Sequence, residues 1–248
     1  MKTRVIQTEP NRSRSEDNGP RGESAASGWR LGRLLVFVGP LLWAALILFH
    51  PMPGGDSAYQ GVKNDLDLWL LVHVGQLILT PFLFLAVWRL LQGLPSVAAM
   101  VSRAALVVWT VFFSAYDTVQ GISTGLLADH ANGLTGQEQT GVAGAIDFLI
   151  KDSPLAGNIS AFWVVASVAW LVVAIAAAVA LRKAGAGKAV VMALCVSIVF
   201  ATHVQTAAIG LVALSLAGVL RERQRRKLML EVPDVMSPAD APARGAPA

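Results

Sequence analysis

The sequence predicts an all-α integral membrane protein: a bundle of six transmembrane helices with a short interfacial helix on its outer side and disordered termini. The first observation is composition, because 54% of the 248 residues are hydrophobic and only 15% are charged. Soluble domains average about 45–50% and about 25% respectively. The second and third observations are recurrent long apolar runs and basic clusters in alternate loops. We therefore expect one membrane domain, residues 31–220, between two polar tails.

The apolar runs define the six spans, because a helix needs about 20 apolar residues to cross a ~30 Å hydrocarbon core. The last run, from Ala189 to Leu220, would form one helix roughly 48 Å long at ~1.5 Å per residue. That length is too great for one crossing, and the middle of the run is polar around His203. We therefore predict two short spans there, which either cross fully or form a re-entrant hairpin. The predicted spans are about 33–50, 66–91, 104–128, 158–181, 189–202 and 206–220.

Basic residues orient the bundle, because cytoplasmic loops of membrane proteins are enriched in Lys and Arg. The outer loops, residues 51–65 and 129–158, contain only Lys63 and Lys151 as basic residues. With six spans the remaining basic clusters all face the cytoplasm. With five spans, Arg221–Lys227 would lie on the outer side of the membrane. The bias towards Ala, Gly and Arg is typical of a high-GC bacterium. The sequence thus predicts a multi-pass protein of the bacterial inner (cytoplasmic) membrane with both termini cytoplasmic.

The two ends of the chain are predicted to be disordered tails. Residues 1–30 are polar and contain two prolines, so they cannot bury enough apolar surface to offset the entropy of ordering. Residues 221–248 are basic and then rich in Pro and Ala. We expect Arg221–Lys227 to bind anionic lipid headgroups at roughly 1 kcal/mol per basic residue. Because the basic residues sit in short clusters beside apolar runs, the expected partner is the lipid bilayer, with no nucleic acid.

One loop contains a helical pattern of its own. Between Thr140 and Ile150, the apolar residues Val142, Ala145, Ile146 and Leu149 share one helical face. This spacing predicts a short interfacial helix on the outer side. Such a helix either covers an outward-facing cavity as a lid or simply bridges spans three and four.

Asp117 is the candidate functional residue of the third span. A charge at that depth costs at least about 2.5–3.5 kcal/mol unless it has a partner. A polar stripe with spacings of three and four places it on a face turned towards the bundle: Thr110, Ser114, Asp117, Gly121 and Thr124. Gly121 and Gly125 form a G-x-x-x-G motif, which allows close approach of another helix and offers a surface for a homodimer.

The second span carries a matching polar stripe, Trp69, His73, Gln76 and Thr80. Helical rise places His73 and Asp117 about 7 Å apart in depth, a gap that side-chain reach or one water closes. We expect a polar pocket around this pair formed by Gln76, Thr80, Ser114 and Gln120. In the six-span topology all the histidines of the chain lie towards the outer side: His50, His73, His130 and His203.

Three interpretations of this arrangement remain open from sequence. In the first, the polar side chains hydrogen-bond to one another, giving the outward-facing pocket a binding or structural role. In the second, His73, Asp117, His50, His130 and His203 hold Zn, Cu or haem in a membrane enzyme or assembly factor, because imidazole and carboxylate are common metal ligands. In the third, Asp117 and His73 carry protons in a small proton-coupled transporter. The chain contains no H-E-x-x-H or C-x-x-C motif, so the sequence does not decide whether it is an enzyme.

Overall fold

The computed structural model describes residues 37–52, 57–201 and 204–231, and this part of the chain is all helical. The predicted tail at residues 1–30, residues 232–248 of the predicted tail 221–248, and the predicted turn at His203 lie outside the described residues. We number the helices α1 Val38–Ile47, α2 Ala58–Asn64, α3 Leu66–Leu90, α4 Val97–Asn132, α5 Gly136–Lys151, α6 Ala161–Lys183, α7 Lys188–Ala201 and α8 Val204–Glu231.

Three of these helices, α3, α4 and α6, are long and apolar enough to cross a membrane. Two shorter ones, α1 and α7, are also apolar. The outward face of α3 is an exposed apolar stripe with spacings of three and four, made of Leu71, Val74, Ile78, Phe82 and Leu85. The all-helical class predicted from the sequence is therefore confirmed, together with three candidate membrane-spanning helices.

Serine caps set several helix boundaries. The hydroxyl oxygens of Ser57, Ser96 and Ser160 accept backbone N–H groups in the first turns of α2, α4 and α6. Helix α4 therefore begins at Val97, earlier than the predicted residue 104. Arg103 is tolerated inside it because its guanidinium donates to the carbonyl oxygens of Leu91 and Leu94, at 2.5 and 3.3 Å. Helix α2 lies in a segment that the sequence analysis treated as loop.

The last apolar run forms two helices that pack against each other. Helix α7 ends in a 3₁₀ turn, Ser197–Ala201, against which Gly210 of α8 packs. At the other end of this pair, Gly187 N–H donates to the side-chain oxygen of Gln224 at 3.2 Å. The two helices are thus antiparallel. Helix α8 extends beyond the predicted end at residue 220, and Arg221 in this extension donates to the carbonyl of Ala184.

The six helices other than α2 and α5 pack as a closed ring in the order α1, α8, α7, α6, α4 and α3. Aromatic side chains fill its centre. The ring centroids of Trp43 and Phe200 are 5.5 Å apart, and those of Trp109 and Trp170 are 5.1 Å apart. Edge-on and tilted contacts of this kind stabilise aromatic clusters beyond the burial of their surface. This cluster closes the middle of the ring.

Helices α2 and α5 form a cap over one end of the ring. Tyr59, Val62, Ile146 and Ile150 join Trp69 and the end of α4 in a second small core. The carboxylate of Asp147 accepts the backbone N–H of Tyr59 at 3.0 Å, which links α5 to the first turn of α2. The predicted outer helix at Thr140–Ile150 is therefore part of α5 and packs on α2 and α4. We refer to α2 and α5 together as the cap.

We expect the substitution Gly210→Ala to destabilise the packing of α8 on α7. The new Cβ would lie 2.5 Å from the backbone nitrogen of Phe200, so the backbone must shift. Overpacking of this kind costs roughly 1–3 kcal/mol. Chemical denaturation in detergent micelles measures the free energy of unfolding.

The matched control is Gly144→Ala on α5, where nothing lies within 4 Å of the new Cβ. There the better helix propensity of Ala raises stability by up to about 1 kcal/mol. Equal effects of the two substitutions would contradict the close approach of α7 and α8.

Candidate functional site

A cavity of about 560 Å³ lies at the capped end of the ring. Trp109, Phe113 and Phe200, which belong to the central aromatic cluster, also line this cavity. Lys151 and Ile150 of the cap contribute to it as well. Its polar wall consists of His50, His73, Gln76, Tyr116, Asp117, Gln120, Lys151, Asn158 and Ser167. A cavity of this volume accommodates a drug-sized ligand.

The central feature of the wall is a hydrogen bond between α3 and α4. His73 Nδ1 lies 2.6 Å from the Oδ1 atom of Asp117, and the two residues are 5% and 2% exposed. An ionised carboxylate only accepts hydrogen bonds, so with Asp117 ionised the proton of a neutral His73 resides on Nδ1. The bond thereby selects the tautomer whose Nε2 atom carries a lone pair.

Three buried polar atoms at this wall have no hydrogen-bond partner among the described residues: Nε2 of His73, Oδ2 of Asp117 and Nδ1 of His50. The rings of His50 and His73 are 5.0 Å apart. An unpaired buried polar atom costs about 1–3 kcal/mol, and such atoms are few in native proteins. Their concentration at one cavity wall marks this place as a candidate binding site.

His50 follows α1 and lies outside the three helices that are long enough to span a membrane. Its ring lies beside that of His73, and it supplies the wall with a further hydrogen-bonding group.

Asp117 begins a π-helical turn, Asp117–Ser123, within α4. The wider turn changes the backbone hydrogen bonding, and side chains bond its carbonyl oxygens. The carbonyl oxygen of Gly121 accepts the indole N–H of Trp69 at 2.7 Å and the hydroxyl of Thr124 at 3.0 Å. Ser123 donates to the carbonyl of Thr118 at 2.9 Å. Short π-helical insertions occur frequently at functional sites.

Gly121 allows the His73 ring to lie against this turn. A Cβ atom at this position would be 2.1 Å from Nδ1 of His73, so any other residue would displace the imidazole. Gly125, one turn further on, packs against Leu70 and Trp69. Both glycines of the G-x-x-x-G motif are thus in contact with α3 of the same chain. A homodimer through these glycines stays a prediction.

The structure brings together His50, His73 and Asp117, and it places Gln76 and Gln120 on the same cavity wall. Thr80 and Ser114 do not line the cavity, and the Thr80 hydroxyl donates to the carbonyl of Gln76 at 2.9 Å.

Of the remaining histidines, His130 is exposed and apart from the cavity, and His203 is not among the described residues. Within the described residues, no group of three or more His, Cys, Asp or Glu side chains is arranged to hold a metal ion. The metal site stays a prediction without geometric support.

The sequence analysis overlooked the aromatic face of α4. Trp109, Phe113, Tyr116 and Gln120 line the cavity at spacings of four, three and four. This is one helical face, and an aromatic residue at each turn beside Asp117 was a signal available in the sequence. Trp163 of α6 and Phe200 of α7 complete the aromatic lining, and only the packing of separate helices places them there.

We expect the substitution Trp69→Phe to destabilise the protein. Phenylalanine keeps a six-membered aromatic ring but removes the five-membered ring with its N–H, which bonds the buried carbonyl of Gly121. The carbonyl keeps its bond from the Thr124 hydroxyl, so the loss of the indole bond costs roughly 0.5–1.5 kcal/mol, and the smaller side chain adds a packing cost. The control, Trp88→Phe, alters an exposed indole on the same helix and should cost less. Unfolding in detergent compares the two, and an equal loss would contradict the role of the indole N–H.

Comparisons of this chain with protein-family profiles, with curated proteins and with solved structures find no match. What the protein does is therefore inferred from the geometry of the cavity and of the His73–Asp117 pair.

Proposed function

We propose that this protein is a six-span protein of the bacterial inner membrane that binds a small molecule in its capped cavity, at the wall formed by His73 and Asp117. The observation that carries the proposal is the set of buried, unpartnered atoms on this wall: His73 Nε2, Asp117 Oδ2 and His50 Nδ1. A ligand whose charge or polar groups complement these atoms offsets part of the desolvation cost that they incur on burial.

The exposed apolar faces of the long helices support the membrane assignment. α6 presents Val164, Val168, Leu171, Ile175 and Val179 outwards, as α3 presents its own stripe. Continuous apolar faces of this extent are rare on soluble monomers. Lipid is a suitable environment for them.

Charge supports the orientation that we propose. Arg89, Arg103, Lys188 and Arg221 belong to the end of the ring opposite the cap, where the basic loops meet. The positive-inside rule assigns this end to the cytoplasm. The cavity and its cap then face outwards, and both termini are cytoplasmic. The basic extension of α8 is suited to anionic lipid headgroups at the inner surface.

A purely structural role is the simplest alternative, because the His73–Asp117 bond joins α3 to α4. That bond alone does not account for a cavity of about 560 Å³ beside it. A small proton-coupled transporter is the second candidate function, favoured by the position of the buried pair beside a π-helical turn. The metal- or haem-dependent alternative gains no support from His130, which is exposed.

The proposed topology predicts which side of the membrane each end of the ring faces. In a Cys195→Ser background, Glu138→Cys on the cap should react with an impermeant maleimide added to intact bacterial cells. Lys227→Cys should react only after the membrane is opened. Both parent residues are exposed, so accessibility within the protein does not limit labelling. Labelling of Lys227→Cys in intact cells would contradict the orientation.

The proposed binding predicts that some small molecule stabilises the purified protein through this cavity. A chemically diverse panel containing acidic, basic and neutral compounds is screened by thermal unfolding of the full chain in detergent. We expect at least one compound to raise the unfolding temperature of the wild type. Its effect should disappear in Ser167→Phe, which fills the cavity from α6.

The matched control is Val168→Phe, at the next position of α6 on its exposed face. This variant should keep the stabilisation. A panel with no stabilising compound, or hits that bind equally to both variants, would refute the binding function.

A further inference from the structure

We propose that the ligand of the cavity is a hydrophobic organic cation of the quaternary ammonium type, attracted by Asp117 and held against the aromatic walls. This inference rests on the binding function proposed above and specifies the chemical class of the ligand.

The first argument is the charge of the wall. Among the cavity-lining residues that the structure describes, Lys151 is the one lysine and Asp117 is the one carboxylate. None of these lining residues is an arginine. Asp117 is 2% exposed, whereas Lys151, at the end of α5, is exposed to solvent. When Asp117 is ionised and His73 is neutral, the buried pair carries a single negative charge. Little water screens this charge, so it acts strongly on a ligand in the cavity.

The second argument is the aromatic lining. Among the described residues, six aromatic side chains line the cavity in addition to the two imidazoles: Trp69, Trp109, Phe113, Tyr116, Trp163 and Phe200. The face of an aromatic ring attracts a cation within about 6 Å of its centroid, and indole does so most strongly. Aromatic walls around a negative group are the chemistry that recognises quaternary ammonium ions.

The third argument selects a quaternary ion over a primary amine. Of the Asp117 carboxylate oxygens, Oδ1 is bonded to His73 and Oδ2 is buried from solvent. An ammonium ion with N–H groups would have to replace its water with neutral amide and hydroxyl oxygens of the wall, such as those of Gln76 and Gln120. A fully alkylated ion has no N–H to satisfy, so it gains from the field and from the ring faces at a smaller desolvation cost.

The other ligand classes fit less well. Among the described lining residues, only the exposed Lys151 would compensate the charge of an anion near the buried Asp117 carboxylate. A neutral aromatic molecule would fill the space and contact the rings, but it would leave the negative charge without compensation. A neutral ligand is therefore the outcome against which the cation is tested.

The test compares two probes of nearly the same shape. Benzyltrimethylammonium carries the charge, and neopentylbenzene replaces its nitrogen by carbon. Equilibrium dialysis of full-length protein in lipid nanodiscs gives both affinities, and protein-free nanodiscs correct for partition into lipid. We expect the cation to bind the wild type at least tenfold more tightly than its neutral isostere. This comparison requires no variant.

Substitutions then identify the residue that causes the preference for the cation over its neutral isostere. Asp117→Asn should weaken cation binding at least tenfold and leave the neutral probe within twofold. The control Asp129→Asn removes an exposed carboxylate from the same helix and should change neither affinity. Because Asp117→Asn perturbs a buried bond, Gln120→Lys serves as a second variant that retains the pair. It should weaken cation binding, because it places a second positive charge at the wall.

Equal affinity of the two probes for the wild type, or cation binding unaffected by both Asp117→Asn and Gln120→Lys, would overturn the cation inference. Absence of binding by both probes would overturn it as well. None of these results refutes the binding function itself, because that depends on the separate panel and on the pair Ser167→Phe and Val168→Phe.

Discussion

The structure depends on one constraint: where a helix departs from α-helical geometry inside an apolar bundle, its backbone polar groups must still find hydrogen-bond partners. Two described segments depart in this way, the π turn Asp117–Ser123 and the 3₁₀ turn Ser197–Ala201. In each of them a carbonyl oxygen accepts the N–H of a buried indole. Trp69 donates to the carbonyl of Gly121, and Trp170 donates to that of Ser197 at 2.9 Å.

Both irregular segments contribute to the cavity, and this connects the packing of the bundle to the candidate site. The π turn carries Asp117 and Gln120 to the wall, and the 3₁₀ turn brings Phe200 and Ala201. A regular helix would present these residues at a different angle, because π and 3₁₀ turns have more and fewer residues per turn. The hydrogen bonds that stabilise the irregular turns thus also set the shape of the cavity.

The His73–Asp117 pair combines a structural and a functional role. It joins α3 to α4, so it contributes to the integrity of the ring. It also leaves one buried polar atom on each residue without a partner among the residues that the structure describes. A pair that served packing alone would be expected to have these atoms satisfied, because unpaired polar atoms oppose folding. Such residual cost is typical of sites that bind, where a ligand completes the polar contacts.

The sequence by itself determined the helical class, the apolar helices and the break in the last run. These features depend on local composition and on length, which a membrane core restricts directly. It also singled out His73 and Asp117, because an ionisable residue within a long apolar run can be recognised from the sequence alone. Tertiary structure alone decided the π turn, the cap built from α2 and α5, and which polar residues meet. His50 lies beside the pair and His130 does not, because α1 packs against α3. The sequence alone does not distinguish these two histidines.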